Sequence, residues 1–186
     1  MKRIINIIIC ILILCTVCGC GGVKDNLTSG ISVAEGKKTR TVTLENHGVS
    51  FSIPDDCAVD MTDTELDLFC RNDDFIMSVF CYLNIDLAEG DTAEKMWQRQ
   101  IESDLERFKN VKSLEHKPDF KAKDKTLSTE LHSFENNGTK YYSYYVFAES
   151  KENPDKFLWI SFVGIPSKIR DNFDALEQIV DSIAFK

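Results

Sequence analysis

Residues 127–148 read Leu-Ser-Thr-Glu-Leu-His-Ser-Phe-Glu-Asn-Asn-Gly-Thr-Lys-Tyr-Tyr-Ser-Tyr-Tyr-Val-Phe-Ala. Asn137 and Gly138 both tolerate the positive φ of a tight hairpin turn, so the runs 127–135 and 139–148 are expected to pair antiparallel about them. A further strand, Phe157 to Ile165, follows through Asn153-Pro154-Asp155. It is almost continuously apolar, the pattern of a strand covered on both faces. After Pro166, Ser167 is the expected cap of a closing helix. On it Ile169, Phe173, Leu176, Val180 and Ile183 recur at spacings of four and three and form one face.

Upstream, Ala93, Trp97, Ile101, Leu105 and Phe108 form an apolar stripe widened by Met96, which predicts a helix over 91–111 opened by a capping pair of Asp91 and Glu94. The lysine-rich segment 113–126 contains Pro118 and lacks periodicity, so it reads as a loop or an irregular edge. Two more hairpins precede the helix: 41–46 with 49–53 about His47-Gly48, and 64–70 with 75–83 about Asn72-Asp73. In the second, a two-residue turn sets Cys70 opposite Phe75 and puts Leu66, Leu68, Cys70, Phe75, Met77, Val79, Cys81 and Leu83 on one core face. The resulting order β-β-β-β-α-β-β-β-α implies an α+β class, a twisted antiparallel sheet flanked by two helices.

The beginning of the chain is of another kind. Met1-Lys2-Arg3 precedes an apolar run from Ile4 to Val17, too short to span a bilayer core as a helix and suited to a signal sequence. Val17-Cys18-Gly19-Cys20 resembles the lipobox of bacterial lipoproteins. The resemblance implies cleavage after Gly19 and a diacylglyceryl group on the Cys20 thiol, anchoring the chain to a membrane without spanning it. Residues 1–19 are thus a lipoprotein signal peptide, 20–40 a lipidated cysteine and flexible tether rich in Gly, Ser, Thr, Lys and Asn, and 41–186 one domain. The expected location is extracytoplasmic, on the cell membrane.

Charge separates along the same boundary. Residues 21–40 carry four basic and two acidic side chains, whereas 41–186 carry 16 basic and 28 acidic ones. An acidic body of this kind excludes nucleic acid as a partner, because phosphate binding needs a basic surface. It suits a domain facing envelope proteins and held clear of anionic headgroups, and equally a generic solubilising surface. Of seven cysteines, only Cys57, Cys70 and Cys81 lie beyond Cys20. None of these pairs has C-x-x-C spacing, so buried inert thiols are expected.

Candidate chemistry is sparse. Tyr141, Tyr142, Ser143, Tyr144 and Tyr145 are open to two readings, a central strand buried on both sides or an aromatic platform for a small ligand or glycan. The candidate ligand surface is the face bearing Tyr141 and Tyr145 with His132 beside them. Asp55, Asp56, Asp60, Asp63, Glu65 and Asp67 lack calcium-loop spacing and read as a solvated edge. His47, His116 and His132 fit no metal or catalytic pattern, and no nucleophile elbow or phosphate loop occurs. The sequence therefore predicts neither an enzyme nor a cofactor.

Phe51-Ser52-Ile53-Pro54 resembles the opening strand of the PsbP-like family, which includes DcrB-type bacterial lipoproteins. Ile179-Val180-Asp181-Ser182-Ile183 is similar to its closing helix. Cys57 stands where that family usually has tryptophan. Over residues 41–186 the resemblance implies an α-β-α sandwich and a non-catalytic role such as docking to a membrane complex.

Overall fold

The central turn adopts the geometry its residues allow, with φ of 50° at Asn137 and 77° at Gly138. It joins two twelve-residue strands, the middle of a computed structural model that describes residues 31–34, 37–60, 66–83 and 87–186. The signal segment, Gly19, Cys20 and the first part of the tether lie outside the described residues, as do Asp63 and Glu65.

In chain order the elements are β1 (Ile31–Ala34), β2 (Lys37–Leu44), β3 (Val49–Pro54), β4 (Ala58–Asp60), β5 (Leu68–Arg71), β6 (Ile76–Leu83), α1 (Ala93–Leu105), β7 (Lys109–Leu114), β8 (Lys125–Asn136), β9 (Thr139–Ser150), β10 (Lys156–Gly164), α2 (Pro166–Asp171), α3 (Phe173–Asp181) and β11 (Ala184–Phe185). The class is α+β with antiparallel sheets, as expected. There are two sheets, however: a large one in the order β4-β5-β6-β10-β9-β8-β7 and a small one in the order β1-β2-β3-β11.

Period-two alternation divides the large sheet between two cores. On one face Met77, Val79, Tyr144, Val146, Leu158 and Ile160 pack against Val42, Phe51 and Ile53 of the small sheet and Ile169, Leu176 and Val180 of α2 and α3. On the other, Phe80, Tyr145, Phe147 and Trp159 pack against Trp97, Ile101 and Leu105 of α1. β10 is central, with Phe157, Leu158, Trp159 and Ile160 all at most 3% exposed, as its apolar run predicts.

Several local expectations are corrected. The β5–β6 turn has four residues, Asn72 to Phe75, because Asn72 Oδ1 accepts the backbone N–H groups of Asp74 and Phe75, both at 3.0 Å. The register moves by two: Cys70 pairs with Met77, not Phe75, and the core face is kept. Leu66 falls in the opposite core, and Leu83, at the end of β6, is exposed. Paired strands also begin inside the stretch read as tether, since β1 at Ile31–Ala34 pairs with β2, which starts at Lys37, where Lys38, Thr39 and Arg40 offer no apolar alternation.

α1 is capped by Thr92, whose Oγ1 accepts from the Lys95 amide at 3.2 Å. Asp91 instead binds the Thr92 amide and the Arg99 guanidinium, which holds its carboxyl below the usual range. The helix stops at Leu105, and Lys109–Leu114 is a bulged edge strand rather than more helix. The closing helix divides at Asn172, and Pro166, not Ser167, opens it with Ile165 at the cap position. Asn172 Nδ2 donates to the Lys168 carbonyl at 2.9 Å, closing α2 before α3 starts.

The irregular segment 115–124 is fastened from α3. Glu177 accepts from the Asp119 amide at 2.9 Å and pairs with His116 at 2.8 Å. Asp181 accepts the amides of Lys121 and Ala122.

Candidate functional site

Between α1 and the large sheet lies a cavity of about 270 Å³. Its origin can be read in the side chains. The sheet face beneath α1 is mostly aromatic, but Ser143 and Ser161 on the two central strands are small and leave room above them. Eight lining residues are aromatic, among them Phe80, Trp97, Phe108, Phe134, Tyr141 and Trp159. Rings meet along the walls, Phe80 tilted against Trp159 with centroids 5.5 Å apart and Phe108 stacked on Phe134 at 4.2 Å.

α1 adds two polar side chains. Its buried face follows the spacing Trp97, Gln100, Ile101, Leu105, with the partly buried Asp104 beside them, so an amide and a carboxyl share the apolar side of the helix. Gln100 Nε2 donates to Asp104 Oδ1 at 2.8 Å. Burial pushes the Asp104 carboxyl up to about 6, a shift that the Gln100 bond and the Arg107 charge only partly offset. Trp97 Nε1 is buried with no hydrogen-bond acceptor among the described residues.

The mouth is formed by the Asn72–Phe75 turn and the end of β10. Gly164 is required there: a Cβ would lie 2.7 Å from the Asp74 carbonyl oxygen. Asp74 in turn binds Lys168 Nζ at 2.5 Å and Asn172 Nδ2 at 3.2 Å, so the turn is pinned to α2.

The sequence candidates separate. Tyr141 and Tyr145 line the cavity, as inner walls rather than an open platform; Tyr145 is 6% exposed, and burial and the Asp104 charge both raise its hydroxyl pKa. His132 shares their sheet face and meets the Tyr145 ring edge-on at 6.0 Å, but it does not line the cavity. It binds Glu130 at 2.7 Å. The other two histidines are likewise each held by one carboxylate, His47 by Asp67 at 2.7 Å and His116 by Glu177. Gln100, Asp104 and Trp159 were not singled out from the sequence as site residues. The available signal for the first two was their position three and seven residues after Trp97 on the apolar stripe.

No group of metal-binding side chains occurs among the described residues. Asp67 is occupied by His47 and by the Cys81 amide, 2.6 Å away. Cys57, Cys70 and Cys81 are buried and free. The thiol pKa of Cys70 is raised by contact with Cys57 and by burial, and that of Cys81 by burial and the nearby Asp67. None of the described helices is long and apolar enough to cross a membrane.

No family model and no curated protein matches the chain. Solved structures do. The Ran-binding protein Mog1p of Saccharomyces cerevisiae superimposes with a TM-score of 0.57 at 13% identity, covering 81% of this chain and 96% of its own. LpqN of Mycobacterium tuberculosis, described as involved in cell envelope biogenesis, gives 0.53 at 10% identity over 87% and 92%. The cyanobacterial PsbP of Synechocystis gives 0.48 at 11% identity over 90% and 98%. At such identities the first two likenesses establish a shared fold.

Proposed function

We propose that this chain is a bacterial lipoprotein, anchored outside the cytoplasm by a diacylglyceryl group on Cys20, whose α+β domain is a non-catalytic binding module of the cell envelope that takes a small ligand beneath α1. The cavity carries this reading. It is enclosed by rings and has few polar groups, the usual make-up of a small-molecule site. The lipobox-like Val17-Cys18-Gly19-Cys20 supports the anchor, and the fold shared with LpqN, a protein of cell envelope biogenesis, agrees with an envelope setting. Buried thiols with raised pKa values at Cys70 and Cys81 suit a binding role better than a nucleophilic one. A docking role toward an envelope protein is compatible with the same acidic body.

The test is mass spectrometry of the full chain purified in detergent from its native host, under native and denaturing conditions. Expected are a covalent diacylglyceryl addition on a chain beginning at Cys20 and a small companion released on denaturation. Ser161→Leu, which fills the cavity floor, should remove the companion and keep the anchor. A chain still beginning at Met1 overturns the anchor, and a wild-type protein without a companion overturns the ligand module.

A further inference from the structure

Building on the reading of the cavity as a ligand site, we propose that its ligand is a small organic cation, an ammonium group on a flat apolar body, with Asp104 as counter-ion and the surrounding rings as walls. Three observations converge on this class. The only side-chain hydrogen bond of Asp104 among the described residues is the one from Gln100, which is neutral, so this partly buried carboxylate has no ion-pair partner there and only the charge of Arg107 acts on it. The rings of Trp97, Trp159, Phe80, Phe134 and Tyr141 bound the same space, and aromatic faces attract ammonium groups through their quadrupole. At the mouth the described lining residues include Asp73, Asp74 and Lys168, and Lys168 is paired with Asp74.

The competing classes fit less well. An anion would meet Asp104 inside and Asp73 at the entrance. A purely apolar ligand would leave the carboxylate with the neutral Gln100 as its hydrogen-bond partner and less water around it, which is costly for a charged group. Size narrows the class further. A 150 Å³ cavity holds benzene, so about 270 Å³ suits roughly ten non-hydrogen atoms.

The isosteric probes phenethylamine and phenethyl alcohol test the assignment. The chain has two tryptophans, Trp97 and Trp159, and both line the cavity, so intrinsic fluorescence of the full chain in non-ionic detergent reports occupancy there. At pH 7.5 the amine is expected to bind about tenfold or more tightly than the alcohol. The amine stays protonated as pH falls, while Asp104 takes up its proton near pH 6 in the free protein. Its preference should therefore fade below that pH and the alcohol's affinity should hold. The other charged or titratable groups facing Asp104 are Arg107 on its own helix, Tyr141 and Tyr145 from β9, and Asp73, Asp74 and Lys168 at the mouth.

Asp104→Asn can keep the Gln100 bond and should abolish the preference for the amine at every pH while alcohol binding remains. The wild-type pH series gives the same discrimination without a variant. Equal affinities for the two probes would overturn the cation assignment and leave the ligand module standing. An amine preference that survives at pH 4.5 or in Asp104→Asn would remove Asp104 as counter-ion and overturn the assignment. No response to either probe would overturn the cation assignment and count against the ligand module as well.

Discussion

Asp104 shows how a single residue can set the pH behaviour of the fold. Its carboxyl pKa lies near 6 in the folded chain, above the ordinary value, so the folded state binds the proton more tightly than the unfolded state. The stability this gives is complete below the unfolded pKa near 4 and is lost as pH rises through about 6. Asp104→Asn is expected to raise the melting temperature of the unliganded protein at pH 8 and change it little at pH 4. The gain should be up to about 3 kcal/mol at the higher pH, the value of roughly two pKa units, and calorimetry at the two pH values measures it. Equal effects at both would rule out the electrostatic origin. Residues of this kind were hard to read from the sequence, because a helical stripe is found by its apolar members and Asp104 and Gln100 are polar residues on it. Tyr141 and Tyr145 were legible because strand alternation assigns each ring to a face, although which face is roofed depends on a helix far away in sequence.

At the level of elements, legibility followed packing. β10 and α1 bury much of their surface and carry strong apolar patterns, so both were found. β7 is exposed along nearly its whole length, and an edge strand with solvent around its side chains has no alternation to detect. Phe108 matched the stripe of α1 by spacing, yet the chain has left the helix by then, and Asn110 takes a φ of 54° at the bulge that follows. The Asn172 break in the closing helix is likewise invisible to spacing, since Ile169 and Leu176 stay buried on either side of it. Segment 115–124 is ordered by carboxylates of α3 almost sixty residues away in sequence. Glu177→Ala removes the partner of His116 and of the Asp119 amide together, which should cost about 1–3 kcal/mol and speed proteolytic cutting between Glu115 and Asp124. Limited proteolysis with mapping of the cut sites checks this; unchanged cutting would mean the segment is held by its own packing.

For the whole molecule, the sequence conveyed class and order but not the division into two sheets. Hairpin signals say which neighbours in sequence pair, and they carry no information on whether β2–β3 joins the central sheet or packs across it. The small sheet is completed by β11 from the far end of the chain, with the Lys186 amide donating to the Gly48 carbonyl at 2.7 Å. The two edges of the large sheet are protected differently. β4 is three residues long, and β7 carries Lys109 and Lys112 on either side of its bulge. Replacing both lysines with valine should leave the melting temperature within about 0.5 kcal/mol equivalent and produce concentration-dependent association, read by light scattering. A variant that stays monomeric would show that the bulge alone suffices.

The protected edge matters most if copies of this domain are crowded together on one surface by short leashes. Neighbours held side by side collide far more often than molecules free in solution, and each collision is a chance for two open sheet rims to zip together. The kinked, cationic rim of β7 offers such a neighbour no flat ladder to extend, so a dense layer of these domains can remain a population of separate molecules.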